Sequence, residues 1–352
     1  MSELMQYLER AVKDGASDLF LVAGGPACEK LDGSLHPIGT EKLMPERTEK
    51  LLREIYGFAG RVMEENLAKG DDDFSFSISG FSRFRVSAYR QRGSYAAVIR
   101  VVPFEIPSWE KNGIPPSVME LSDLTSGMVL FTGTAGSGKS TTQACIIDRI
   151  NKTRACHIVT LEDPIEYLHR NCLSIVSQRQ IFEDTGDYHV ALRACLRQAP
   201  DVIQLGEMRD LETIRTAITA AETGHLVFAT LHTHGAVNSI DRVIDIFPPD
   251  QQNQIRLQLS MVLHTVVSQQ LLSGIDGEMV PAFEILRVNS AVRSMIRDGK
   301  NYQIPSAIAA GGEEGMVAMD QAILELYQKG KITLKTALDH ADNPAQLHRR
   351  LG

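Results

Sequence analysis

The chain has 352 residues, of which 43% are hydrophobic and 23% charged, the make-up of a soluble protein able to bury a core at a length that suggests two domains. Its formal net charge of -8 excludes a broadly basic duplex-binding surface, so no nucleic acid partner is expected. Five cysteines without C-x-x-C spacing exclude a disulfide framework and a structural zinc site, and no apolar run reaches the ~18 residues of a spanning helix.

The N-terminal stretch MSELMQYLERAVKDGASD spaces Leu4, Met5, Leu8 and Val12 along one helical face and lacks the apolar core of a signal peptide. Reduced thiols in a cytoplasmic protein, without direct membrane insertion, are therefore expected. SDLFLVAGG and FRVSAYRQRGSYAAVIRVV alternate β-branched and aromatic residues with polar ones, as strands do. PERTEKLLREIYGF and RVMEENLAKG between them have helical spacing. Residues 1–102 thus read as a small α+β domain. VPFEIPSWEKNGIPPSVMEL then places prolines at 103, 107, 115 and 116, which predicts an extended linker over 103–122 and not core.

From residue 123 to 352 the rhythm becomes strand, switch, helix. GMVLF, HIVTL, DVIQL and HLVFATL predict a mostly parallel sheet covered on both faces, and after about Asp250 the pattern predicts a largely helical region. Ligands of such sheets bind beyond the carboxyl ends of the strands.

After GMVLF comes Gly133-Thr134-Ala135-Gly136-Ser137-Gly138-Lys139-Ser140-Thr141. Glycines let a backbone wrap phosphate with its amides inward, and the following helix points its positive end at the anion. A nucleoside triphosphate with Mg²⁺ is the expected ligand, ATP by the resemblance given below, with Lys139 on the β- and γ-phosphates and the Ser140 hydroxyl on the metal. After HIVTL stands Glu162-Asp163-Pro164, which fits either a carboxylate for the attacking water or the opening of a turn. After DVIQL stands Gly206-Glu207-Met208-Arg209-Asp210. Glu207 suits the metal, or it is a charge at the N-terminus of the helix DLETIRTAITAAE. His232 ends the HLVFATL strand, His225 begins it, and His234 is given no role. Arg83, Arg85, Arg90, Arg92 and Arg100 form either a solvated face or a source of cations for the phosphates.

The chain resembles the secretion-type hexameric ATPases, and within them the PilT-like pilus-retraction motors. GTAGSGKSTT, TLEDPIEYLH, APDVIQLGEMRDLETI and TAAETGHLVFATLHT stand in the order and spacing of that family, and the likeness extends from ASDLFL and SRFRVSAYRQRG to AVRSMIRDGK and AIAAGGEEGM. The resemblance implies an α/β fold: a small PAS-like α+β domain followed by a RecA-like P-loop ATPase domain with a helical C-terminal part. It implies a homo-hexamer that couples ATP hydrolysis to type IV pilus retraction through an inner-membrane platform protein. It implies Glu162 as catalytic base, Glu207 as metal-serving carboxylate, His225 and His232 as a histidine pair, and Arg83, Arg92 and Arg100 as arginines approaching nucleotide. AVRSMIRDGK matches the motif needed for retraction. Pilus-extension motors usually carry a longer N-terminal region and a four-cysteine insertion, which this sequence lacks. An assembly or secretion ATPase, a regulatory paralogue with little hydrolysis and a DNA-translocating motor are the competing readings. Phe20, Cys28 and Lys30 depart from the family pattern, and Gln204 puts an amide needing a buried partner into an otherwise apolar strand.

Overall fold

The computed structural model describes residues 2–31, 33–102 and 105–351, and the chain divides into two compact units. Met1–Glu105 with Glu166–Leu168 form one, and Ile106–Ile165 with His169–Gly352 form the other.

The first unit is a six-stranded sheet in the order β3-β2-β1-β6-β5-β4. Its strands are β1 (Asp18–Val22), β2 (Cys28–Leu31), β3 (Ser34–Pro37), β4 (Asp71–Ile78), β5 (Ser82–Gln91) and β6 (Ser94–Val102), and every pairing is antiparallel. Helix Glu3–Lys13, whose N-cap Ser2 accepts a hydrogen bond from the Met5 amide, buries Leu4, Leu8 and Ala11. Helix Pro45–Ala59 buries Leu51, Leu52 and Ile55 in the same core, against Leu19, Phe84 and Ile99 of the sheet. On β5, buried Phe84 and Val86 alternate with the more exposed Arg83 and Arg85, so one face packs and the other carries charge. RVMEENLAKG makes a single helical turn, Met63–Asn66, followed by a 3₁₀ turn.

The second unit holds a seven-stranded sheet in the order β13-β12-β7-β11-β10-β8-β9. Its strands are β7 (Gly127–Thr132), β8 (His157–Glu162), β9 (Ile175–Gln180), β10 (Val202–Leu205), β11 (Leu226–Leu231), β12 (Leu263–Ser273) and β13 (Met279–Arg287). All pairings are parallel except that of β13 with β12. Neighbouring residues of β7 go to opposite faces. Met128 and Leu130 join one core with helix Leu211–Glu222, while Val129 and Phe131 join another with helix Lys139–Thr153. Burial on both faces explains why these strands read as continuous apolar runs.

Two expectations are corrected. The stretch after Asp250 is not simply helical, because β12 and β13 follow helix Pro249–Val262 and complete the sheet. The segment 106–122 is not an extended linker outside the core. Pro115 and Pro116 begin the helical turn Pro116–Met119, and Ile114, Val118, Met119 and Leu121 are buried in the second unit. Proline is tolerated at a first helical position because its missing N–H has no intrahelical partner there. Pro103 lies outside the described residues.

Candidate functional site

Register sets the site. Thr132 pairs with Leu231, Ala229 with Leu205, and Leu205 with Leu161, so β7, β11, β10 and β8 end in step. The residues that follow them, Gly133, His232, Gly206-Glu207 and the terminal Glu162, therefore share one edge of the sheet. The sequence singled out these positions.

The phosphate loop runs from Gly133 to Gly138, and helix Lys139–Thr153 starts directly behind it without a side-chain cap. Gly133, Gly136 and Gly138 have φ of +138°, +78° and +88°, a region that side chains disfavour. A Cβ on Gly133 would lie 2.3 Å from the Gln269 carbonyl oxygen, and one on Gly138 would lie 2.8 Å from Gln269 Nε2. The cradle is closed from behind by β12. Gln269 also accepts a hydrogen bond from Thr142 Oγ1 at 2.9 Å. Lys139 is buried and donates from Nζ to the carbonyls of Gly133 (2.8 Å) and Thr134 (2.7 Å). Thr134, Ala135 and Gly136 form the exposed tip, Ser140 and Thr141 are half-buried, and the buried Ser137 hydroxyl has no partner among the described residues. Uncapped first-turn amides, an orphaned hydroxyl and a glycine cradle fit a bound phosphate chain.

Thr160 Oγ1 and Gln178 Nε2 both donate to Glu162 Oε1, at 2.6 and 3.1 Å. Gln178 belongs to β9, which pairs with β8 alone at the sheet edge. Glu207 Oε2 receives Arg209 Nη2 at 2.7 Å and faces His232 Nε2 at 3.3 Å. Burial raises the Glu207 carboxyl, but the Arg209 bond and the His232 interaction outweigh it and hold the group below the usual range. The Tyr188 ring is half-buried, and a Cβ on Gly206 would lie 2.7 Å from its hydroxyl. Burial first, then the charges of Asp163, Glu207 and Glu162, push the phenol well above its ordinary range, so it stays protonated.

His225 is not brought to this edge. It precedes β11 at the opposite end, where its carbonyl accepts from the Gly127 amide and its Nδ1 lies 2.9 Å from the Ala220 carbonyl. Within the protomer it ties helix Leu211–Glu222 to the start of the strand. The spacing of the two histidines across one six-residue strand puts them at its two ends. His234 pairs with Asp342 at 3.0 Å. The amide of Gln204 finds Gln143 Oε1 at 3.5 Å, and Gln143 in turn donates to Thr230 Oγ1 at 3.0 Å.

The arginines belong to the first unit. Arg83 Nη1 donates to Ser77 Oγ at 3.4 Å, and Arg100 Nε is 2.9 Å from Asp18 Oδ1. Arg92 sits at φ +48° in the β5–β6 turn.

Sequence reasoning missed Gln269, Gln178, Tyr188 and Arg209. The first two sit on strands absent from the predicted set. Arg209 was visible in GEMRD, where the i, i+2 spacing from Glu207 was the available signal.

Comparison with known proteins gives full-length likenesses. The type IV pilus retraction ATPase PilT of Pseudomonas aeruginosa is 42% identical over 342 residues, 97% of this chain and 99% of its own length. The type IV pilus ATPase PilU of the same organism is 38% identical over 354 residues, 99% of this chain and 92% of its own. A crystal structure of the pilus retraction motor PilT with bound ADP superimposes with a TM-score of 0.90 at 45% identity, covering 99% of both chains. The model of the type II/IV secretion system protein family matches residues 1–305. The chain belongs to the type II/IV secretion system protein family.

Proposed function

We propose that this protein is a ring-forming motor that hydrolyses ATP to withdraw type IV pili. The observation that carries the reading is the step-matched edge of the sheet. There Lys139 and Glu207 lie beyond two parallel strands and Glu162 ends a third, in a chain 42% identical to a retraction ATPase over nearly its whole length.

The phosphate loop wraps the β- and γ-phosphates with its amides, and Lys139 exchanges its two carbonyl partners for phosphate oxygens. The Ser140 hydroxyl and Glu207 would hold Mg²⁺, which when bound neutralises and orients the phosphate oxygens. Glu162, positioned by the bonds that Thr160 and Gln178 donate to its Oε1, takes the proton of the attacking water as the terminal phosphate leaves ADP. His232 orients Glu207. His225 has no chemical part within the protomer. Arg83, Arg92 and Arg100 are the proposed cations for the transferring phosphate. The working unit is a homo-hexamer on the cytoplasmic side of the inner membrane, gripping the pilus platform protein. No described helix is long and apolar enough to cross a membrane.

Steady-state turnover and nucleotide affinity of two variants test the assignment of the carboxylates. Glu162→Gln is nearly isosteric but a far weaker base, and is expected to bind ATP within about threefold of wild type while losing roughly 10²-fold or more in kcat. A Glu162→Gln protein that hydrolyses ATP at near wild-type rate, beside an inactive Glu207→Gln, would move the base to Glu207.

A further inference from the structure

Arg209 has no assigned part in the chemistry, yet its placement is built with care. The Met208 side chain is buried, and the Met208 amide donates to the Thr230 carbonyl of β11 at 3.0 Å. On either side of this pinned residue, Glu207 and Arg209 meet in an ion pair at 2.7 Å. His232 follows Thr230 by two residues and projects to the same place. Both side chains converge on one carboxylate oxygen, Glu207 Oε2, Arg209 Nη2 at 2.7 Å and His232 Nε2 at 3.3 Å. The Arg209 side chain is 69% exposed, and Glu207 is its only ion-pair partner among the described residues. An arginine this exposed gains little stability from such a pair. Its guanidinium does, however, occupy an oxygen that a divalent cation would need.

We propose that Arg209 is a positioning residue that clamps Glu207 and yields Oε2 only when a divalent cation arrives with nucleotide. This rests on the reading of Glu207 as the metal-serving carboxylate. The clamp makes metal binding a competition. Arg209 must swing away for Oε2 to be free, and its flexible, solvent-exposed stem allows it to do so without disturbing Met208. Arg209 thereby raises the metal concentration at which the nucleotide site fills and holds the carboxylate in place beforehand. Loss of its charge tightens metal binding instead of weakening it, an outcome opposite to that for a simple structural residue.

Mn²⁺ serves as a spectroscopic probe for Mg²⁺. Its binding to the full-length protein saturated with ADP can be followed by electron paramagnetic resonance, without turnover. Arg209→Gln is expected to lower the half-saturating Mn²⁺ concentration roughly fivefold, the scale of a partly exposed ion pair. Arg209→Lys, which keeps the charge, is expected to stay within about twofold of wild type. Arg209→Gln binding Mn²⁺ with unchanged or weaker affinity overturns the clamp, as does Arg209→Lys behaving like Arg209→Gln. Glu207→Gln separates the two claims. If it leaves Mn²⁺ binding unchanged, the metal role of Glu207 fails and the clamp with it. If it weakens Mn²⁺ binding while Arg209→Gln changes nothing, the clamp alone fails.

Discussion

Gly133 illustrates how a single missing side chain sets chemistry. Its backbone lies so close to Gln269 that a Cβ would sit 2.3 Å from the carbonyl oxygen, at a φ of +138° that side chains avoid. Gly133→Ala must therefore push the loop away from β12, and it is expected to weaken ATP binding at least about tenfold, measurable by fluorescent-nucleotide titration. Wild-type affinity in that variant would mean the cradle does not depend on this approach. The need for glycine was legible in GTAGSGKS, but its enforcer was not, because Gln269 lies more than a hundred residues away on a strand with no clear sequence signature. His169 gives a second test at this scale. Burial pushes its imidazole down to about 4, below the ~6.5 of an unfolded chain. Between those values the unfolded state takes up a proton that the folded state refuses, so stability falls as pH drops from about 6.5 towards 4. At pH 5 the loss is on the order of 2 kcal/mol. Thermal melts at pH 7.5 and 5.0 are expected to show a smaller gap for His169→Asn than for wild type. An unchanged gap would mean that other groups carry the acid sensitivity.

Among elements, helix Ser290–Arg297 shows what pattern alone can deliver. Val292 and Ile296 are fully buried and Met295 half-buried, while Arg293 and Arg297 are exposed, the division its spacing predicts. Asn289 caps it by accepting from the Val292 amide. Among the described residues Arg293 reaches only the carbonyls of Val288 and Met261, at 3.4 and 3.5 Å, so its removal leaves the core intact. Arg293→Ala is expected to keep ATPase activity within about twofold and a near-normal melting temperature, while abolishing pilus-dependent movement. Lost hydrolysis in that variant would assign the residue to the fold or the site instead. The strands that escaped the sequence have physical reasons. β12 follows helix Pro249–Val262 without a turn residue between Val262 and Leu263, so the two periods run together. β13 contains Pro281, which an edge strand tolerates but which argues against a strand on paper. β9 is a polar edge strand, IVSQRQ, buried fully only at Gln180.

For the whole molecule, four parallel strands and the loops behind them were readable because burial on both faces leaves uninterrupted apolar runs, each ending at a polar switch. The proline-rich segment misled because proline marks the start of a helical turn as well as a linker, and only the burial of Ile114, Val118 and Leu121 separates the two. The direction of movement is written nowhere in the phosphate chemistry, since a motor that extends a filament and one that withdraws it share the same hydrolysis. The central claim is therefore tested most directly by counting surface pili in the host after deletion of this gene. Deletion is expected to leave more and longer pili together with loss of pilus-dependent movement, both restored by the wild-type protein but not by Glu162→Gln. A deletion strain without pili would contradict it and make this protein a motor that builds filaments.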